Sequence, residues 1–254
     1  MNIGISGAAK ALTALLLALS LGLCGCSQND SGKNDSDNND LSSASEDVSK
    51  VFIERKDAGE PSAPEGSISF EKACELLDDC SLKETYLPQS MKDYKKMYFG
   101  TIDYMSEKFY SVYPYIEAAN KKIFVGTNCL VACDGSFSLK KTWIGEYSEL
   151  TESADSDKSF EELYPGAKVT PNEILTVLAE NEKSLSLEYD ITKYIFEVGG
   201  KIFEIDGKKC YKIIPKLEYM DSVTILQSFY GTIDGSNEIW KADLDNDGKY
   251  KKIV

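Results

Sequence analysis

Residues 192–214 of the chain, TKYIFEVGGKIFEIDGKKCYKII, alternate apolar runs with turn signals and decide the kind of fold that we expect. Gly199-Gly200 separates the first two runs, and Asp206-Gly207 separates the second run from the third. Asp-Gly and Gly-Gly pairs between runs rich in Ile, Phe and Tyr are typical of antiparallel hairpins. Two more Asp-Gly pairs, at 234–235 and 247–248, continue the pattern. The stretch therefore predicts an antiparallel meander.

A capped helix is predicted directly before this meander. Thr170 has the character of an N-cap, Pro171 suits the first helical position, and Glu173 completes a capping box. Ser159 begins a similar box for a shorter helix upstream. The apolar face of the longer helix consists of Ile174, Leu175, Val177 and Leu178.

The preceding part of the chain repeats this plan of a helix followed by strands. Ser69 is a plausible N-cap, and residues 96–103 and 108–117 have the composition of strands. Pro114 favours an edge position for the second of these strands, since proline cannot donate to a ladder. The predicted fold class is therefore α+β, with capped helices packed on antiparallel meander sheets.

Two similar halves are one interpretation of this plan. A short echo supports it, because Gly100-Thr101-Ile102-Asp103 recurs as Gly231-Thr232-Ile233-Asp234. Matches of four residues also arise by chance in chains rich in strands. The second half is similar in plan to the PepSY-like helix-plus-meander modules of secreted Gram-positive lipoproteins, a similarity of pattern without a diagnostic motif.

The N-terminal region carries an anchoring signal. A basic start, an apolar run of about 13 residues that is too short to span a bilayer, and small residues at its end are typical of a signal peptide. The residues Leu23-Cys24-Gly25-Cys26 resemble the bacterial lipobox; Leu23, Gly25 and Cys26 match, and Cys24 departs from it. The resemblance implies diacylation of Cys26, with palmitate-like chains, and anchoring on the extracytoplasmic face of the cell membrane. An ordinary secretory signal is the alternative.

The predicted organisation has five segments. Residues 27–40 contain no apolar side chain and cannot offset the entropy of ordering. The segments are a signal peptide (1–25), the lipidated Cys26 with a disordered acidic tether (26–66), a helix plus antiparallel sheet (67–148), an acidic linker with a short helix (149–166), and a helix plus antiparallel meander (167–254).

Composition excludes several classes of function. The net charge of −14 makes nucleic acid an unsuitable partner, because phosphate binding needs a basic surface. The chain has no histidine, which removes Ser-His and Cys-His catalysis and His ligands for metals. No cofactor is expected.

Two groups of residues are candidates for ligand binding. Partly exposed tyrosines on a strand can stack on a glycan or peptide, although alternating aromatics also pack within a half-buried sheet. The candidates for such a surface are Tyr98, Tyr104, Tyr110, Tyr113 and Tyr115.

The second group is a D-x-D-x-D-G run that suits calcium. It resembles the start of an EF-hand loop, but Val254 stands where the bidentate Glu belongs, so a complete EF-hand is excluded. An Asp-rich hairpin turn is the alternative. The candidate ligands are Asp243, Asp245 and Asp247.

The sequence therefore favours a membrane-anchored, non-enzymatic binding or interaction module with a glycan, peptide or protein ligand. The alternative is a carboxylate-based hydrolase of cell-wall or polysaccharide material, which would need a close pair of acidic groups. A structural role in the envelope is a third hypothesis, which unpaired strand edges would support.

Overall fold

The computed structural model describes the following residues: 53–59, 61, 63–79, 91–142, 146–150, 159–219, 222–245 and 248–254. The predicted signal peptide, Cys26, the tether before residue 53, residues 151–158 of the acidic linker and Asp247 lie outside the described residues.

The prediction of an α+β fold is wrong, because the described residues are mostly β-structure. Twelve strands form one mixed sheet. The described α-helices are α1 (Phe70–Asp79), α2 (Phe160–Leu163) and α3 (Pro171–Glu180). Both predicted capping boxes are confirmed, since Ser159 and Thr170 each make the two reciprocal hydrogen bonds. The caps mark true helices, but each helix is short and the strands dominate.

The strands fall into two groups of six. The first group is β1 (Lys95–Tyr104), β2 (Glu107–Ala118), β3 (Lys121–Val125), β4 (Cys129–Ala132), β5 (Ser138–Lys141) and β6 (Tyr147–Glu149). The second group is β7 (Tyr194–Ile205), β8 (Lys208–Glu218), β9 (Val223–Ile225), β10 (Phe229–Thr232), β11 (Ile239–Ala242) and β12 (Tyr250–Lys252).

One parallel contact joins the two groups. The sheet order is β12-β11-β10-β8-β7-β3-β2-β4-β5-β6, with β1 added on β2 and β9 added on β8. All pairs are antiparallel except β3–β7, in which Phe124 lies opposite Ile195 and Val125 opposite Phe196. We call this contact the seam. It makes a single sheet of what the sequence predicted as separate meanders.

The two groups repeat each other in their pairing and in their attachment to a helix. Strand β2 pairs with β1, β3 and β4, and strand β8 pairs with β7, β9 and β10. The Tyr110 hydroxyl donates to the Ile68 carbonyl over 2.7 Å, and the Tyr211 hydroxyl donates to the Val169 carbonyl over 2.7 Å. The repeated Gly-Thr-Ile-Asp at Gly100 and Gly231 does not mark equivalent positions. Gly100 lies in β1, whose counterpart is β7, and Gly231 lies in β10, whose counterpart is β4.

Pro114 lies in a central strand rather than at an edge. It pairs with Lys96 of β1. On the other side of β2, pairing with β4 ends at Val112 and pairing with β3 begins at Tyr115. The proline therefore lies at a gap between two partners, where a missing N–H costs no ladder bond. Pro215 of β8 occupies the same kind of gap, between β10 and β9.

The main core lies between the helices and one face of the sheet. It includes Ala73 and Leu77 of α1, and Ile174, Leu175 and Leu178 of α3. The opposite face, which we call the open face, carries three smaller apolar clusters. No helix in the described part of the chain is long and apolar enough to cross a bilayer.

Candidate functional site

A segment ahead of α1 that is neither helix nor strand lies against the sheet near the seam. We call residues 53–59 the strap; the sequence assigned them to the tether. The Ile53 amide donates to the Glu218 carbonyl over 3.3 Å, and the Ala58 amide donates to the Tyr98 carbonyl over 3.1 Å. These bonds join the strap to β8 of the second group and to β1 of the first.

Arg55 is the buried residue of the strap. Its side chain is 2 % exposed. Nη1 donates to the Lys193 carbonyl over 3.1 Å, and Nη2 donates to Glu218 Oε2 over 3.3 Å. The guanidinium carbon lies 5.2 Å from the ring centroid of Tyr113 and 5.3 Å from that of Phe124, within cation–π range. The guanidinium therefore has two aromatic walls, a carboxylate and a carbonyl.

Glu218 is the anionic centre of this site and is 3 % exposed. Besides Arg55, it accepts a hydrogen bond of 2.8 Å from the Tyr113 hydroxyl and contacts Lys141 Nζ at 3.0 Å. Burial pushes the pKa of Glu218 upward, but the charges of Lys141 and Arg55 and the hydrogen bonds from Lys141 and Tyr113 outweigh it, so the pKa lies below its ordinary value. Glu218 is held ionised.

The same surroundings that lower the pKa of Glu218 raise the pKa of Tyr113. Burial, followed by the adjacent Glu218 carboxylate, raises the pKa of Tyr113 well above its ordinary value. The phenol therefore stays protonated and acts as a hydrogen-bond donor to the carboxylate.

The equivalent glutamate of the first group has a different environment. Glu117 in β2 corresponds to Glu218 in β8, because Tyr115 and Lys216 lie two residues before them and pair with β3 and β9 in the same way. The side chain of Glu117 is 55 % exposed and pairs with Lys95. Of these two equivalent glutamates, Glu218 is the one that is buried with Arg55.

A cavity of about 410 Å³ opens beside the strap. Two charged pairs at its rim join the strap to the sheet and its connections: Lys193 Nζ lies 3.7 Å from Glu54 Oε1, and Lys122 Nζ lies 3.6 Å from Asp57 Oδ2. Phe124 also lines the cavity. The strap therefore has two kinds of contact with the rest of the protein. Arg55 is buried in a pocket, and two lysines lie near the acidic residues on either side of it.

The five predicted tyrosines do not form one surface. Tyr98 and Tyr110 are buried under α1, where their rings contact Phe70 at 5.2 and 5.9 Å. Tyr104 is half-buried in another cluster of the open face. Tyr113 and Tyr115 lie at the site itself, 2 % and 9 % exposed. Alternation along β1 and β2 sends neighbouring rings to opposite faces.

The predicted calcium ligands are described in part. Asp243 accepts a hydrogen bond of 3.1 Å from the Asp245 amide, which is the arrangement of an Asx turn. Asp247 lies outside the described residues. Within the described ranges no group of three or more His, Cys, Asp or Glu side chains could hold a metal ion. Calcium binding by this loop stays a prediction.

Sequence reasoning missed Arg55, Lys141 and Glu218, because these three are far apart in the chain and only the folded structure brings them together. One signal could have pointed to the first of them. Arg55 is the only arginine among the 28 Lys and Arg residues of the chain, and it follows the apolar residues Val51-Phe52-Ile53. An isolated arginine beside an apolar run is suited to a stacked or bidentate contact that lysine cannot make.

Comparison with protein-family models, with curated proteins and with solved structures finds no match to this chain.

Proposed function

We propose that this protein is a lipid-anchored, extracytoplasmic binding module, without catalytic activity, that holds a short peptide segment on the open face of its sheet. The observation that carries the proposal is the strap, a stretch outside the regular elements that is bound through a buried arginine and makes a tight turn there, with the Lys56 amide donating to the Glu54 carbonyl over 2.9 Å. Recognition of a short segment by a few main-chain hydrogen bonds and one side-chain pocket is a recurring mode of peptide binding. The lipobox resemblance at Leu23-Cys24-Gly25-Cys26 supports the anchor and the location.

The charge state of the carboxylates favours binding over hydrolysis of cell-wall or polysaccharide material. A hydrolase with two carboxylates keeps one of them protonated through a raised pKa. Among the described Asp and Glu residues, those with a shifted pKa all have it lowered, and the buried Glu218 is surrounded by donors. Such a carboxylate suits the binding of a cation.

The location is tested by fractionation of cells that express the full chain. Cys26→Ser should move the protein from the membrane fraction to the soluble fraction, because it removes the acylated thiol. Cys24→Ser is the matched control and should leave the protein in the membrane fraction. Membrane retention of the Cys26→Ser variant would contradict the anchor.

The binding activity is tested with the full chain carrying Arg55→Ala, whose pocket is vacated. A fluorescein-labelled peptide of residues 50–60 should bind this variant saturably, as followed by fluorescence anisotropy. A variant that also carries Tyr113→Ala should bind the peptide more weakly, because one wall of the pocket is removed. Absence of saturable binding to folded Arg55→Ala protein would contradict the proposed function.

A further inference from the structure

The pocket around Arg55 matches the shape and charge of a guanidinium group. Its walls are the rings of Tyr113 and Phe124, and its polar groups are the Glu218 carboxylate and the Lys193 carbonyl. A planar guanidinium stacks on aromatic faces and presents several donors in a fixed fork, whereas an ammonium is a compact and strongly hydrated charge. The chain uses lysine at every other basic position and arginine only here.

The strap is attached by the buried Arg55 side chain, by main-chain hydrogen bonds and by two ion pairs at the rim. In the described part of the chain, two main-chain hydrogen bonds connect the strap to the sheet, at 3.3 and 3.1 Å. Arg55 Nε is buried without a hydrogen-bond partner among the described residues, so the pocket satisfies its occupant incompletely. The cavity of about 410 Å³ beside the guanidinium leaves room along the bound segment. A better-matched segment could therefore take the place of the strap.

The rim of the pocket carries a lysine near each of the acidic residues that flank the arginine. Glu54 pairs with Lys56 of the strap at 2.5 Å and also lies 3.7 Å from Lys193, and Asp57 faces Lys122. The side chain of Lys122 is 39 % exposed and that of Lys193 is 37 % exposed, so both can contact an incoming segment. A protein of net charge −14 therefore keeps two lysines where a bound peptide would carry its acids.

We propose that this pocket receives the arginine of a short peptide segment of a partner protein, flanked by acidic residues as in Glu54-Arg55-Lys56-Asp57, and that the strap of the same chain occupies the pocket until such a peptide displaces it. The inference rests on the proposed peptide-binding function and adds the chemistry of the ligand and the competition with the strap. The partner must be anchored or secreted on the same side of the membrane, where the strap and sheet are exposed to it.

The test compares four labelled peptides with the full-length protein. They are the peptide of residues 50–60, its Arg55→Lys form, its Arg55→Ala form, and a form in which Glu54 and Asp57 are replaced by Lys. Each is titrated into wild-type protein and into the Arg55→Ala variant, with fluorescence anisotropy as the readout.

The expected results separate the ligand chemistry from the binding function. The arginine peptide should bind the Arg55→Ala protein at least about tenfold more tightly than the lysine peptide does. The lysine peptide has no planar guanidinium to stack on the aromatic rings and to donate several hydrogen bonds. The charge-reversed peptide should bind about twofold to fivefold more weakly, as expected for exposed ion pairs. Wild-type protein should bind the arginine peptide at least about tenfold more weakly than the variant does, since the strap competes at a high effective concentration.

Other outcomes would overturn either this inference or the function on which it rests. Equal binding of the arginine, lysine and alanine peptides would leave the peptide-binding function standing and refute the guanidinium pocket. Failure of every peptide to bind folded protein would refute both. Dimers of wild-type protein that form with rising concentration and require Arg55 would show that the occupant in trans is a second copy, and would refute a separate partner.

The Arg55→Ala variant leaves Glu218 without one of its cations, so its folding is checked by circular dichroism before the titrations. The Arg55→Lys protein is the second variant. It keeps a positive charge near Glu218 but loses the guanidinium that lies over Tyr113 and Phe124. The arginine peptide should bind this variant more tightly than it binds wild-type protein. Equal affinity for both proteins would overturn the competition.

Discussion

Gly231 of β10 lies directly beneath Ile174 of α3, so closely that a Cβ added to the glycine would overlap Cγ2 of the isoleucine. The equivalent residues of the first group are Val131 of β4 and Ala73 of α1, by their places in the repeated strands and helices. In the second group the strand residue, Gly231, is small and the helix residue, Ile174, is large. In the first group the strand residue, Val131, is large and the helix residue, Ala73, is small. In the second group, the missing side chain of Gly231 makes room for Ile174.

This relationship predicts a rescue. Gly231→Val should lower the free energy of unfolding by about 1–3 kcal/mol through overpacking against Ile174. Ile174→Ala alone should cost about 2–5 kcal/mol, since it leaves a cavity. The double variant should lose less than the sum of the two single losses, by about 0.5–3 kcal/mol. Urea denaturation followed by circular dichroism measures all three, and strict additivity would contradict the contact.

The two tyrosine hydroxyls that hold the helix starts predict a second pair of effects. Tyr110→Phe and Tyr211→Phe should each cost about 0.5–1.5 kcal/mol, because each removes a hydrogen bond to a partly buried carbonyl. The costs should be similar, since both bonds measure 2.7 Å. Tyr104→Phe is the control, because its hydroxyl makes no hydrogen bond to a described residue. Thermal melting measures the losses; a large loss in the control alone would contradict the prediction.

Glu218 predicts a specific dependence of stability on pH. Its folded-state pKa is lower than its ordinary value of 4.5, so its stabilising effect is complete above that pH and is lost as the pH falls through the folded-state pKa. Glu218→Gln should cost about 3–5 kcal/mol at neutral pH, because Arg55 and Lys141 stay buried without their anion.

The difference in unfolding free energy between wild-type protein and Glu218→Gln should shrink as the pH falls below 4.5. The matched control is Glu117→Gln, at the equivalent and half-exposed position. Its difference from wild-type protein should be small at every pH. Urea denaturation at a series of pH values measures both. A pH-independent gap between wild type and Glu218→Gln would show that its carboxylate is not the acid-sensitive group.

The start of β1 predicts a protected edge. Lys95 stands where β7 carries Ile195, the residue that accepts β3 at the seam. Among the described strands β1 pairs only with β2, and a lysine on a strand edge opposes pairing with another chain. Lys95→Ile should therefore promote association between copies, visible as a rise in sedimentation coefficient with protein concentration. Lys209→Ile adds the same apolar group to β8, which pairs with both β7 and β10, and should leave the protein monodisperse.

Much of the local structure could be predicted from the sequence. The capping boxes at Ser159 and Thr170 and the turn at Asp206-Gly207 are contained within a few residues, so local rules suffice for them. The fold class was wrong, because the pattern of capped helices says nothing about how short the helices are relative to the strands. Pro114 was misplaced because the gap in the ladder beside it depends on two separate partners of β2.

By itself, the sequence determined the elements that depend on near neighbours: the helix starts at Ser159 and Thr170, the turn at Asp206-Gly207 and the strand periodicity. The turn predicted at Gly199-Gly200 was wrong, because both glycines lie within β7, where the register against β8 shifts between Val198 and Ile202. It also determined the hypothesis of a lipid anchor, carried by the residues around Cys26. Only the tertiary structure decided that two meanders become one sheet through Phe124 and Ile195, and that Arg55, Lys141 and Glu218 meet. The physical reason is sequence separation. Contacts between residues about 70 to 160 positions apart depend on how the whole sheet forms, and no local propensity specifies them.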